Sequence, residues 1–430
     1  MNFWDYFTDP ILRAPTLGCI LLCTAAALMG AVLFFQRRLM VSESISHAAY
    51  PGAVLGILVL SLFGPEYEEY SFIAVLFGAC FTSWLGLRVI SYLERRQKIK
   101  SDPALCLTLA IFFGVGILLA SWLQESAPMW VSQVSSLLYG QAATLTDAHV
   151  LIYGSLAFIC LSVVTLAFRP LQTLLFDRAY AKTIGIQTKT VERLLFWLLL
   201  VSIVAGIRSV GVILMSGMLI APVIVARQFS DRLKTVFFLS AIVGAFSGWI
   251  GNVLSVEIAL KYEHIHIPTG PMIVLVGSVL AILSMLFSPK RGVFFRLARL
   301  ALFRLRCLEE NVMKGIWKKG KIDKTELKRL YPNSSFAIHR LIRQGWVVRE
   351  GRSLCLTEDG RIKAGTIVRL HRLWELYLTE ELGCHAGRVH HNAEDMEHIL
   401  TPELERRLTK LLSNPQNDPH QQPIPNGSLV

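Results

Sequence analysis

The sequence predicts a mainly α-helical chain: a polytopic helical membrane domain of about eight to nine segments, then a cytosolic winged helix-turn-helix and a further helical region. Three observations predict it. Apolar runs long enough to cross a bilayer recur through the first 289 residues. The solvent then changes at Ser288-Pro289-Lys290-Arg291: residues 290–352 hold 17 Lys/Arg against 5 Asp/Glu, a net of +12 that equals the formal charge of the whole chain. Beyond the change come a helix, a turn, a second helix and two alternating strands, and six of the 11 histidines fall between His371 and His420.

Bulk composition excludes several classes. At 53% hydrophobic and 17% charged, the chain is a membrane protein. Its eight cysteines form no CxxC pair, which argues against a zinc ribbon or a disulfide framework and for a reducing cytosol around the tail. Met1-Asn2-Phe3-Trp4-Asp5 lacks a basic n-region, so no cleavable signal peptide is expected. No stretch reads G-x-x-x-x-G-K-[ST], so the chain is not expected to hydrolyse nucleotide itself or to be an enzyme.

The spanning runs are 16–36, 45–64, 71–92, 104–124, 148–168, 192–227, 235–258 and 270–288. Basic clusters at 36–38, 94–98, 169–189, 227–234 and 290–291 place those loops in the cytoplasm. The acidic stretch 64–69 and the segments 124–126 and 263–266 then lie outside. The alternation holds if 192–227 crosses twice. That run is short for two helices, so a broken or re-entrant pair interrupted at 206–211 is expected, with the tail in the cytosol.

Three membrane stretches carry more than hydrophobicity. Glu43 and His47 stand four apart, on one face of a helix, and a carboxylate with an imidazole suits Mn, Fe or Zn. The plainer reading is a solvated helix start with a hydrogen-bonded histidine; the expense of an ionisable pair entering a span favours function. Residues 176–186 form a short amphipathic cytoplasmic helix ended by Gly185, which by pattern alone is a solvated loop helix. Residues 209–222 combine small residues with Pro222, permitting close helix packing and a kink.

Taken in order, with Ile267-Pro268-Thr269-Gly270-Pro271 before the last span, these stretches resemble the manganese/zinc/iron permease family of ABC importers across about residues 10–289. The resemblance implies that Glu43 and His47 face the substrate path, Glu43 standing where the family has aspartate. It makes the helix containing Asp177, Ala181 and Gly185 the coupling helix for a separate ATPase subunit. It also implies a periplasmic or surface metal-binding protein, a second permease subunit as homo- or heterodimer, and a multi-pass location in the bacterial cytoplasmic (inner) membrane. A permease for cobalamin or an iron chelate would need no Glu43–His47 pair.

In the tail, residues 290–306 read as a basic amphipathic juxtamembrane linker, lying on anionic lipid in preference to touching DNA. Residues 307–365 read as the winged helix-turn-helix. Asp323 or Thr325 caps a helix to Leu330, residues 331–334 turn, and a second helix runs from Ser334 or Ser335 to Gln344, stopped by Gly345. His339, Arg340 and Arg343 put polar and basic groups on its outer face, Ser334 and Ser335 open it, and Arg352 lies in the wing, as DNA contact requires. A winged protein-interaction domain is the bland alternative. In residues 366–430, His371 and Glu375 lie four apart, and Glu394, Glu397 and His398 are spaced i, i+3, i+4. One such cluster is a solvated face; two within a short stretch point to metal.

From Cys307 to Pro425 the tail resembles the diphtheria-toxin-repressor family of metal-dependent regulators. The resemblance implies a main metal site at Glu394, Glu397 and His398, and a companion site at His371, Glu375 and His390. Cys307, Glu309 and Glu310 are the weaker candidates for a further ligand in the first helix. It also implies a tail homodimer and operator DNA as partner. Oxygen and nitrogen donors favour Mn(II) or Fe(II), with Zn(II) behind them. A permease fused to a metal-activated repressor is thus the leading expectation, and a tail that gates transport by sensing metal without binding DNA is the alternative. Proteolysis near the arginine-rich junction 291–306 would free a tail that is otherwise confined to the membrane.

Overall fold

The computed structural model of the chain describes residues 4–63, 70–262, 267–384, 398 and 401–425. It divides into two compact units, Met1–Phe295 and Arg296–Val430. The first unit opens with a short helix α1 (Asp5–Thr8), followed by α2 (Pro10–Phe35), α3 (Leu39–Ser61), α4 (Ser71–Arg95) and α5 (Ser101–Ser126). A short α6 (Val131–Tyr139) precedes α7 (Asp147–Leu166), and two further short helices, α8 (Phe168–Phe176) and α9 (Arg178–Thr183), lead to α10 (Thr188–Val210). The unit closes with α11 (Val212–Phe229), α12 (Leu233–Lys261) and α13 (Thr269–Phe287). Among the described residues nine helices are long and apolar enough to cross a membrane: α2 to α5, α7 and α10 to α13.

The axis of this unit is α2. Asp9 accepts a hydrogen bond from the Ile11 amide, and Pro10 takes the first helical position, where a missing N–H costs nothing. Cys23, Ala25, Ala26 and Ala27 are fully buried, and the helix packs against α7, α11 and α12. Lipid offers no hydrophobic drive between helices, so small residues that let backbones approach do the joining.

Sequence reading expected a broken pair in 192–227, too short for two full helices. Two helices fit because α10 begins at Thr188 and a single residue, Gly211, separates it from α11, giving lengths of 23 and 18 residues. Gly211 has φ +93°, a conformation that L side chains rarely adopt. It meets a feature the hydropathy did not show, the nine-residue α6, which ends at Gly140 with φ +74°. A Cβ at Gly211 would lie 2.4 Å from the Leu138 carbonyl oxygen, and one on Gly270 would lie 2.4 Å from that of Val210. Three backbones therefore cross where only glycine fits, and the Gln141 amide donates to the Arg208 carbonyl at 2.9 Å beside them.

The second unit begins within α14 (Val293–Lys319), an unbroken helix that passes through position 306, where the sequence reading placed the end of a linker. Next come β1 (Lys321–Asp323), α15 (Lys324–Leu330), α16 (Ser335–Arg343), β2 (Val347–Glu350) and β3 (Ser353–Leu356). The strands form one antiparallel sheet in the order β1-β3-β2, with Ile322 opposite Leu354 and Val348 opposite Cys355. Alternation puts Ile322, Val347 and Leu354 on the inner face, where they meet Val312, Met313 and Ile316 of α14 and Ile338 and Leu341 of α16. Asp323 caps α15 by accepting from the Thr325 amide at 3.1 Å, and Gly345 leaves α16 with φ +76°.

The chain continues in α17 (Glu358–Glu380), whose N-cap Thr357 accepts from the Gly360 amide, and α18 (Pro402–Leu411). Leu373 and Leu376 of α17 share a small core with Leu412 and Ile424. Two buried arginines on α17 hold the closing segment down. The Arg369 guanidinium reaches Glu405 at 3.1 Å and the Pro425 carbonyl at 3.0 Å. Arg372 reaches Asp418 at 3.3 Å, Gln422 at 2.8 Å and the Pro423 carbonyl.

Candidate metal sites

Glu43 and His47 lie in the first half of α3, on one face. The serines around them are already satisfied: Ser42 donates to Leu39, Ser46 to Ser42 at 2.9 Å, and Ser44 reaches across to the Leu105 carbonyl of α5. His47 is not. Its ring stands edge-on to Phe113 at 4.7 Å, and its buried Nδ1 has no hydrogen-bond partner among the described residues. One turn deeper, Tyr50 is fully buried against the same Phe113, and its hydroxyl has no partner either. A buried polar atom left unpaired costs roughly 1–3 kcal/mol, so the two stand out on this face of the helix. Sequence reading missed Tyr50, although its position at i+3 from His47 put it on the same face.

The first residues of α3, Leu39, Met40 and Val41, line a cavity of about 2600 Å³ together with Arg38, Glu94, Asp102, Arg178 and Glu192; Glu43 and His47 are not among its lining residues. Arg178 belongs to α9 and pairs with Glu192 of α10 at 2.6 Å. Asp177 caps α9 by accepting from the Ala179 and Tyr180 amides at 2.8 and 3.0 Å, Ala181 is buried beneath the helix, and Gly185 ends it with φ +83°. On and beside α9, Phe176, Tyr180 and Ile184 are exposed by 95%, 57% and 50%.

In the second unit, His371 Nε2 lies 3.1 Å from Glu375 Oε1, both side chains buried, as their spacing on α17 predicted. His398 Nδ1 lies 2.5 Å from Glu310 Oε2, which brings one expected ligand onto the carboxylate of a weaker candidate. Glu394, Glu397 and His390 lie outside the described residues, and among the described residues no group of three or more His, Cys, Asp or Glu gathers as a metal cluster. The donors present are carboxylate oxygens and imidazole nitrogens, the set that suits a hard or borderline divalent ion.

Glu309, the neighbouring weak candidate, is occupied otherwise. It is buried and its Oε1 faces Arg340 Nε of α16 at 3.2 Å; burial pushes its carboxyl above the usual range, against the pull of Arg340. Cys307 is half-buried. On α16, Ser335, His339 and Arg343 are exposed, as is Arg352 between β2 and β3, while Arg340 is half-buried by its pairing. Ser334, expected on the same face, is fully buried because it sits at the turn beneath the helix start. Phe336 stands 64% exposed among the basic residues.

Among the described residues, nine helices of membrane-spanning length, one of which carries a carboxylate and an imidazole on one face, define a polytopic membrane protein. The chain belongs to the ABC 3 transport family, which it matches over residues 8–288, and it ends in an iron dependent repressor, metal binding and dimerisation domain over residues 357–426. It is 37% identical over 445 residues to a probable metal transport system membrane protein of Chlamydia trachomatis, covering 97% of each chain. It is 29% identical over 393 residues to the manganese transport system membrane protein MntC of Bacillus subtilis, covering 89% of this chain and 87% of that one. Among solved structures it is similar to PsaBC from Streptococcus pneumoniae in complex with Fab, with 25% identity and a TM-score of 0.57 over 69% of this chain and 97% of that one.

Proposed function

We propose that the chain is the permease of an ATP-driven importer for free Mn(II), Fe(II) or Zn(II), joined to a cytosolic metal-dependent repressor of transcription. The family membership and the relatives named for metal and manganese transport support the first half. Glu43 supplies charge at the head of α3, and His47 and Tyr50 supply unpaired polar atoms along it. The exposed apolar residues on and beside α9 suit docking of the separate ATPase subunit, with Asp177 and Gly185 fixing the helix's two ends and Ala181 packed below. A second permease subunit and a periplasmic or surface metal-binding protein complete the importer.

The regulatory half rests on one observation, the 2.5 Å pairing of His398 with Glu310. It joins a residue of the metal-binding region to the first helix of a fold that we read as a winged helix-turn-helix, α14–α15–α16 with the β2–β3 wing. In this reading Glu310 and His398, with Glu394 and Glu397, would hold the main ion, and His371 and Glu375, with His390, the companion ion. When bound, such an ion neutralises the clustered carboxylates and ties together segments far apart in sequence. The protein's own part is to present His339, Arg343 and Arg352 to operator DNA from a tail homodimer, with Arg340 steadied by Glu309. Metal then favours whichever tail state binds it more tightly, which makes the output a feedback on import. Replacing Arg343 and Arg352 by alanine should abolish the promoter response while leaving transport intact. An unchanged response would mean that the tail gates the permease and does not read DNA.

A further inference from the structure

We propose that the first half of α14 is a membrane-surface helix that docks on an anionic lipid leaflet. On a helix of 3.6 residues per turn, Phe294, Leu297, Leu302 and Leu305 share one face, Arg296, Arg299 and Arg306 gather on the other, and Arg304 flanks Leu297. No acidic residue interrupts the arginines before Glu309. The core of the soluble unit takes up α14 only from Val312 onward. Before that the apolar side lies open: Phe294, Leu297 and Leu302 are exposed by 57%, 58% and 60%. Leu300 and Phe303, set among the arginines, are less exposed, at 44% and 41%.

The position of this helix supplies the partner. Five residues separate it from the last span, in a tight joint where the Ser288 hydroxyl donates to the Gln228 carbonyl at 2.6 Å and the Gly292 amide donates to the Ser288 carbonyl at 2.8 Å. Arg291 pairs with Asp231, and Phe294 packs on Phe287 of α13 at 5.9 Å, so the first turn of α14 is fixed to the end of a spanning helix. A lipid leaflet satisfies both faces at once, since acyl chains take the leucines and phenylalanines while anionic headgroups take the guanidiniums. A duplex would satisfy only the arginines and leave the apolar face wet. A second copy packed along the same face would bring two rows of arginines together. The inference rests on the proposed topology only in that the cytoplasmic leaflet is the anionic one.

The test uses the full chain in nanodiscs of phosphatidylcholine alone or with about a third phosphatidylglycerol, a lipid mixture chosen to give a surface charge. Hydrogen–deuterium exchange is followed in peptides from 293–306. Exchange should slow in the charged discs, speed up again in high salt, and weaken about fivefold in docking equilibrium for each arginine replaced in R296Q and R299Q. R296K and R299K should keep the protection, showing that charge is what is read. Equal exchange in both lipids would overturn the proposal. Protection that needs two copies per disc, or that comes only when duplex DNA is added, would overturn it in favour of a second copy or of DNA. None of these outcomes depends on whether the tail represses a gene.

Discussion

His398 Nδ1 stands 2.5 Å from Glu310 Oε2, joining two residues 88 positions apart. The adjacent Glu309 points to Arg340 instead, at 3.2 Å. Two consecutive carboxylates on one helix thus divide the work: one meets the metal-binding region, and the other meets the helix that carries the exposed basic residues. The helix α14 is the piece that both halves of the tail touch.

This division predicts different outcomes for neighbouring substitutions. Glu310→Ala should lower the tail's affinity for Mn(II) by at least the roughly ten- to hundredfold typical of disturbing a group around a metal site. Glu309→Gln keeps the size of the side chain that faces Arg340 and should leave that affinity within about threefold, well below that range. Calorimetric titration of both variants decides it; equal losses would mean that Glu309 is a ligand as well.

Transport should depend on both polar groups at the head of α3. Glu43→Gln and His47→Ala should each cut uptake of radiolabelled Mn(II), Fe(II) and Zn(II) by at least about tenfold, because an ion in a span needs its charge and its donors matched. Glu43→Asp keeps the charge and should retain most uptake. A His47→Ala permease with normal uptake of all three ions would point to a chelate as cargo.

Asp323 carries a pH signature. Hydrogen bonds from the Thr325 hydroxyl and amide, the cap of α15, hold its carboxyl below the ordinary aspartate range. A depressed folded-state pKa contributes stability that is present above the unfolded value and is lost as pH falls through the folded one. Asp323→Ala should therefore lower the tail's melting temperature at neutral pH. The difference should shrink as pH drops below about 4, the ordinary aspartate value. A gap that is constant down to pH 2, below the usual aspartate titration, would assign the effect to helix propensity alone.

The closing segment should be the costliest part of the tail to disturb. Arg372 and Asp418 are both buried, and removing Arg372 leaves the Asp418 charge with the His420 and Gln422 amides but no opposite charge. Arg372→Ala should destabilise the tail by about 3 kcal/mol in urea unfolding, the scale for breaking a buried pair. Arg372→Lys should not restore it, since a point charge cannot reach Asp418, Gln422 and the Pro423 carbonyl together.

Much of this was legible in the sequence, and the gaps have physical causes. Hydropathy located the spans because each must hide its own backbone from lipid. It merged α10 with α11 because one glycine is too short a break for a sliding average. It passed over α6, whose nine residues are too few to cross a bilayer. The junction at 306 was drawn through a continuous helix because a surface helix and a packed one share the same 3.6 period. His371 and Glu375 could be paired by spacing, since one helix presents both. His398 and Glu310 could not, because chain order says nothing about which distant residues meet. Ser334 looked available and is buried, as turn residues beneath a helix start can be.

The account stands on one chain both carrying a metal and counting it. The most direct test is DNA binding by the 290–430 fragment, whose second unit has a core of its own. A duplex covering the promoter of the chain's own gene is titrated with Mn(II) present and again with a chelator. The account predicts that Mn(II) tightens binding by between about five- and 150-fold, the range of a typical coupling free energy. A DNA affinity that does not change on chelation would contradict it.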